Sequence, residues 1–358
     1  MGRSFMSNAE PVSRVSQVIR VLIVDDSAYV RKTVRQILTR SPFIEVVGAA
    51  RDGREALELV DELQPDVVTC DLNMPEMDGL TFVREQMARR PLPIVIMSIA
   101  SESGEQALAA IDAGAMGFVQ KPTALATDKL LDVSSELIEM VKAAAAAPPR
   151  LQTPVADPVV VPAARPGAGR IDVAVIGAST GGPQALKFLL SHIPADFPVP
   201  IGIVLHMPVG YTALFAQRLD ESSPLRVIEA GEGQEVTAGT VYLAPAGRHL
   251  LFRRVAPDTV CTHLSVRPLD TPHRPAVDVL FQSAAEAYGG RVLGTVLTGM
   301  GSDGRAGSAW IKAQGGRVIT ETEASCVVYG MPRTVVEAGL SDGSYPLELM
   351  PRAIMENL

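Results

Sequence analysis

The chain reads as two α/β units in tandem, and three observations predict that arrangement. From Val18 onward, short apolar runs alternate with segments of helical period, the pattern of a parallel sheet wrapped by helices. An Ala/Pro-rich stretch at 143–169, with almost no large apolar residue, then interrupts the alternation, because it cannot bury enough surface to fold. Beyond it the alternation resumes with an apolar strand running into a glycine-flanked serine. The first unit is expected to be a doubly wound five-stranded parallel sheet, and the second a mostly parallel α/β domain with a β-hairpin region. The expected boundaries are a polar, aperiodic and disordered leader at 1–17, a first domain at 18–142, a linker at 143–169 and a second domain at 170–358.

Five strand candidates fit before the linker: Arg20 to Asp25, Ile44 to Ala49, Asp66 to Cys70, Ile94 to Met97 and Gly117 to Val119. Between them, residues such as Val30, Val34, Ile37 and Leu38 repeat at intervals of three and four, as on a helix that buries one face. Asp25, Asp26, Asp71, Ser98 and Lys121 each fall at the carboxyl end of a strand. In an open α/β sheet that edge is where ligands bind. Converging carboxylates repel unless a cation sits among them, and hard oxygen donors suit Mg²⁺. With a metal and Lys121 supplying positive charge, one carboxylate can act as nucleophile toward a phosphoryl group. Asp71 stands alone and is the expected nucleophile, whereas Asp25 and Asp26 are adjacent, as metal ligands could be. Helix capping alone would explain one such aspartate but not five polar positions at successive strand ends.

This pattern resembles the receiver domain of bacterial response regulators over about 20–140, carried by Asp25-Asp26, Asp71, Ser98 and Lys121-Pro122. The resemblance implies a flavodoxin-like fold and phosphorylation of Asp71 by a histidine kinase. It also implies Mg²⁺ held by Asp26, Asp71 and the Asn73 carbonyl, with Asp25 acting through water. Ser98 and Lys121 would contact the phosphoryl group, and Phe118 falls at the switch aromatic. A phosphatase with an Asp-x-Asp nucleophile is excluded, because Asp71-Leu72-Asn73 lacks the second acid.

Bulk properties narrow the function further. The 358 residues carry a formal net charge of −8 and no basic cluster long enough to track a phosphate backbone, so nucleic acid is not an expected partner. Cys70, Cys261 and Cys326 lie far apart and form no CxxC, which fits unpaired thiols in a reducing cytoplasm. No signal-peptide core, myristoylation signal or apolar run of ~18 residues is present, so no membrane insertion is expected. A cytoplasmic monomer is the expectation.

In the second unit Ile171 to Ile176 is an apolar strand leading into Gly177-Ala-Ser-Thr-Gly-Gly182, with Pro183 opening a helix through Ala185 to Ile193. Such a turn can cradle a phosphate on a helix N-terminus or expose a nucleophilic serine beside backbone N–H groups. The spacing Gly177-x-Ser179-x-Gly181 fits a nucleophile elbow. The next strand, Val199 to Leu205, ends in His206, and a late strand, Val292 to Leu297, leads into the glycine-rich loop holding Asp303. A serine hydroxyl needs an imidazole to accept its proton and a carboxylate to orient that imidazole. Ser179, His206 and Asp303 are therefore the expected catalytic set. The rivals are weaker: His192 lies in the first helix, His249, His263 and His273 fall in a turn-rich region, and Asp278 reads as a first-turn charge. The order serine, histidine, aspartate differs from that of α/β-hydrolases.

About 170–350 resembles the catalytic domain of the CheB family of protein-glutamate methylesterases. The segments carrying the resemblance are Gly177 to Gly182, Leu205-His206-Met207, Ala244 to His249, Arg274 to Phe281, Leu297 to Gly304 and Val327 to Pro332. It implies backbone N–H groups of Thr180 and Met300 as oxyanion donors, and methyl-accepting chemoreceptors as substrate. Hydrolysis would need no cofactor, and a glutamine deamidase activity is a near alternative. Ala276 and Ala246 depart from the family's usual Ser and Gly.

Overall fold

The computed structural model describes residues 18–98, 100–121, 127–146 and 171–358. The expected leader, and all of the expected linker beyond its first four residues, lie outside them. The first unit alternates β1 (Ile19–Val24), α1 (Ala28–Leu38), β2 (Ile44–Ala50), α2 (Gly53–Leu63), β3 (Val67–Asp71), α3 (Gly79–Arg89), β4 (Ile94–Ser98), α4 (Ala100–Asp112), β5 (Gly117–Gln120) and α5 (Thr127–Ala146). Its strands pair in parallel in the order β2-β1-β3-β4-β5. Each is within about a residue of its predicted span, because β3 and β4 are buried at every position and a strand covered on both faces reads as a continuous apolar run. Side chains fix the helix starts: Ser27 accepts from Val30 N, Asp52 from Arg54 and Glu55 N, and Asp78 from Thr81 N. On α1 the buried stripe is Val30, Val34, Ile37 and Leu38, as expected. Helix α5 continues through Ala143–Ala146, past the boundary that composition suggested. Alanine is the strongest helix former, so a polyalanine run extends a helix that already has a packed face.

The second unit contains β6 (Val173–Ala178), α6 (Gly182–Ser191), β7 (Ile201–Leu205), α7 (Thr212–Ser222), β8 (Arg226–Glu229), β9 (Thr240–Leu243), β10 (His249–Ala256) and β11 (Thr259–Ser265). It continues with α8 (Val277–Tyr288), β12 (Val292–Val296), α9 (Arg305–Ala313), β13 (Arg317–Glu321), α10 (Met331–Glu337), β14 (Gly343–Tyr345) and α11 (Met350–Glu356). Seven strands form one sheet in the order β14-β13-β12-β6-β7-β9-β8, and every pairing in it is parallel. The antiparallel β10–β11 hairpin stands apart, as the expected hairpin region. In both sheets the connections reverse direction beside a central strand, between β1 and β3 and between β6 and β12, which opens a crevice at the strand carboxyl ends.

The two units meet along α4. Lys187 on α6 and Arg218 on α7 both reach Asp112, at 2.7 and 3.0 Å. Arg218 also donates to the Glu105 carbonyl, and the Gln184 amide donates to the carbonyls of Ile111 and Ala115. Among the described residues no helix is long and apolar enough to cross a membrane.

One close approach makes the first unit's geometry testable. A Cβ on Gly79 would lie 2.0 Å from the backbone oxygen of Asp71, which cannot move without shifting β3. Gly79→Ala should destabilise the first unit by about 1–3 kcal/mol in urea unfolding.

Candidate functional site

Asp25 and Asp71 are buried at the ends of β1 and β3, and Asp26 is exposed beside them. One carboxylate oxygen from each of the three lies within 4.8 Å of the others. Lys121, just past β5, reaches into the group with its ammonium 2.7 Å from Asp71 and 3.1 Å from Asp25. Burial works against the Lys121 charge, but the hydrogen bond to Asp71 and both carboxylate charges outweigh it and raise its pKa. Burial, with a smaller contribution from Asp71, also raises Asp25 despite Lys121. Three carboxylates against one ammonium leave room for a divalent cation, and the donor set suits a hard one. Asn73, two residues past Asp71, is exposed at the same edge. Ser98 closes β4 and is held to Lys121 through its carbonyl, while Phe118 lies one strand over on β5.

Ser179, His206 and Asp303 follow three adjacent strands, β6, β7 and β12. The serine turn is shaped by backbone: Gly181 has φ +78°, and Ser179 N–H donates to the Thr298 carbonyl. Gly299 permits the close packing of that loop on the turn, since a Cβ there would lie 2.9 Å from the Ser179 Cβ. His206 Nε2 is 2.8 Å from Asp303 Oδ2, whereas its buried Nδ1 has no partner among the described residues. With Nε2–H donated to Asp303, Nδ1 is the ring atom free to accept a proton.

Asp303 is tied down more firmly than a turn residue in sequence would suggest. It accepts from Val277 N and Asp278 N, the first two amides of α8, and from Gly304 N. Burial would raise its pKa, but the hydrogen bond and charge of His206 and those amides prevail and hold it below the usual carboxylate range. Asp278 returns the contact, accepting from Gly304 N and Gly307 N at the start of α9. The two helices thus exchange carboxylates across their N-termini, which suits the positive end of each helix dipole.

Sequence reasoning missed three further residues. Glu321, fully buried at the end of β13, accepts from Thr298 N at 2.8 Å and from the Ser325 hydroxyl at 2.8 Å. The Thr298 hydroxyl in turn donates to the Thr180 carbonyl, so Glu321 acts on both loops of the site. His273, set aside as a rival base, stacks on His206 with ring centroids 4.0 Å apart. Buried His249 accepts from Ala276 N and faces the Pro268 carbonyl, fixing the segment that enters α8. Among the described residues neither Thr180 N–H nor Met300 N–H donates to a backbone carbonyl. Among the described residues no disulfide joins Cys70 or Cys261.

Known families align with both units. The family described as CheB methylesterase matches residues 174–354, and the response regulator receiver domain matches 21–133. Over 334 residues the chain is 50% identical to a protein-glutamate methylesterase/protein-glutamine glutaminase of Myxococcus xanthus, covering 93% of this chain and 96% of that one. The chain belongs to the CheB methylesterase family. A second CheB relative, from Symbiobacterium thermophilum and with the same description, is 43% identical over 359 residues, covering 95% of this chain and 97% of that protein. The crystal structure of the Thermotoga maritima CheB methylesterase catalytic domain superposes with a TM-score of 0.51 at 40% identity. It covers 53% of this chain and 100% of that one.

Removing Glu321 should loosen the site that these CheB segments share. Glu321→Ala leaves the Thr298 amide and the Ser325 hydroxyl without that acceptor and should cost about 1–3 kcal/mol in urea unfolding, with Glu321→Gln losing less because its amide oxygen still accepts from Thr298 N.

Proposed function

We propose that this chain is a phosphorylation-controlled serine hydrolase that removes methyl groups from glutamate γ-methyl esters on chemoreceptors. The observation that carries the reading is the alignment of Ser179, His206 and Asp303 on adjacent strands, within a chain of this family that also holds a receiver. Segments 18–142 and 170–358 would be the receiver and catalytic domains, joined by the Ala/Pro-rich linker at 143–169.

Ser179 Oγ attacks the ester carbonyl while His206 accepts its proton, and Asp303 stabilises the imidazolium. The oxyanion is met by the amides of Thr180 and Met300, which lie on either side of the Ser179–Thr298 contact. Collapse breaks the bond to methoxide, which leaves as methanol with the proton from His206. Water then attacks the acyl-enzyme by the same route and releases the glutamate side chain. The relatives' double name supports a second activity, glutamine deamidation, in which ammonia replaces methanol as leaving group.

Control enters through the receiver. A histidine kinase would phosphorylate Asp71, with Mg²⁺ held by Asp25, Asp26, Asp71 and Asn73 supplying charge neutralisation when bound. Ser98 and Lys121 would contact the phosphoryl group. Occlusion is supported by the placement of α5. Its Glu139, Lys142 and Ala143 line a cleft of about 480 Å³ together with Met300, Tyr329 and Arg333. Phosphorylation would shift the population toward an undocked receiver, and the part of the linker beyond α5, residues 147–169, is long enough for that at ~3.1 Å each. With a histidine kinase and the cytoplasmic part of a chemoreceptor as partners, the chain would act in the cytoplasm.

Ser179→Ala should lower methanol release from methylated receptor by about 10⁴-fold or more. Asp71→Asn should keep the basal rate and lose stimulation by a small phosphodonor. Calorimetric titration checks the metal. Mg²⁺ affinity should fall as pH drops through the raised pKa of Asp25, beginning above the ordinary 3.8, because a proton then competes with the cation. Asp26→Asn should weaken binding at every pH.

A further inference from the structure

The contact that links the two sites is a tyrosine of the catalytic domain set against the receiver's phosphoryl-acceptor edge. Tyr211 precedes α7 and follows His206 by five positions, so one short loop connects it to the proposed base. Its hydroxyl lies 2.7 Å from Ser98 Oγ, and its ring lies against Phe118 with centroids 4.6 Å apart at 36°. Tyr211 is 1% exposed, Ser98 2% and Phe118 7%, so the whole cluster is closed to solvent. Burial raises the phenol's pKa and keeps it protonated.

Ser98 stands where this contact and phosphorylation of Asp71 would draw on the same hydroxyl. Met97 pairs with Asp71 across β3 and β4, so Ser98 stands one residue beyond the acceptor's strand neighbour. Its carbonyl accepts from Lys121 N, and Lys121 itself holds Asp71. A phosphoryl group on Asp71 would bring strong acceptor oxygens to that edge, and a serine hydroxyl has one proton to give.

We infer that Tyr211 is the catalytic domain's sensor of the receiver's phosphorylation state, acting by competing with the phosphoryl group for the Ser98 hydroxyl. The inference rests on the proposed receiver control and names its contact. When Ser98 turns to the phosphoryl group, the buried Tyr211 phenol loses its partner and the Phe118 ring loses its fixed neighbour. Docking then weakens at the place where the loop carrying His206 meets the receiver. The remaining ion pairs do not replace that contact, because Asp112 and Lys187 are exposed and screened, although Arg218 is partly buried. The docked Tyr211 should also slow phosphorylation of Asp71, because a Ser98 hydroxyl held by the phenol is withdrawn from the incoming phosphoryl group.

The test uses the full chain. Tyr211→Phe keeps the ring contact with Phe118 and removes only the hydroxyl. Basal methanol release should rise about fivefold or more, the lower end of allosteric coupling, with a matching fall in the fold-stimulation by a small phosphodonor. Asp71 should be phosphorylated faster by that phosphodonor. In a Ser98→Ala background, Tyr211→Phe should add nothing to either rate. Unchanged basal and phosphorylation rates, or a loss of basal activity, would overturn the inference. Absence of phosphodonor stimulation in the unaltered chain would instead overturn the proposed receiver control, so the two failures are separable.

Discussion

Asp303 accepts hydrogen bonds from the first two amides of α8, from Gly304 and from the His206 imidazole, and each contact fixes a different piece of backbone. A buried carboxylate is costly unless fully paired, so this one forces the 297–304 loop, the start of α8 and the end of β7 into one arrangement. Asp278 repeats the device in the opposite direction on α9. Glu321 secures the loop from below through Thr298. The serine turn needs little else. Its conformation comes from glycines, and its amide is held by the same Thr298 whose own amide Glu321 holds.

The receiver site follows a similar logic at the corresponding edge of its own sheet, where Lys121 balances buried aspartates. The difference lies in how completely the charges are compensated. Around Asp303, fixed amides supply the compensation and the site is ready for a neutral ester. Around Asp71, the acids outnumber the fixed cation and the pocket is left responsive to added charge. The contact between the units combines partly exposed ion pairs, hydrogen bonds from Gln184 and Arg218 to backbone carbonyls, buried apolar residues such as Leu108, Ile111, Phe215 and Leu219, and the Tyr211–Phe118 pair.

Much of this was legible in the sequence. Asp25, Asp26, Asp71, Ser98, Lys121, Ser179 and His206 sit at strand ends, where apolar runs stop abruptly, so their edge could be read from pattern alone. The parallel sheets followed from the alternation of apolar runs with segments of helical period. Other features depend on long-range pairing that carries no local signal. Glu321 looks like an ordinary acid closing a strand, and its partner Thr298 is 23 residues away. Asp278 read correctly as a first-turn charge, but its bonds to another helix were invisible. His273 fell in a turn-rich region that only the fold brings over His206. Tyr211 was hidden most deeply, because its partners Ser98 and Phe118 belong to the other unit.

Accessibility of Ser179 tests the central claim most directly. The full chain would be exposed to a serine-reactive fluorophosphonate, and the labelling rate of Ser179 followed by mass spectrometry with and without a small phosphodonor and Mg²⁺. The account predicts faster labelling on phosphorylation, and no such acceleration in Asp71→Asn. Equal labelling rates in both states of the unaltered chain would contradict it.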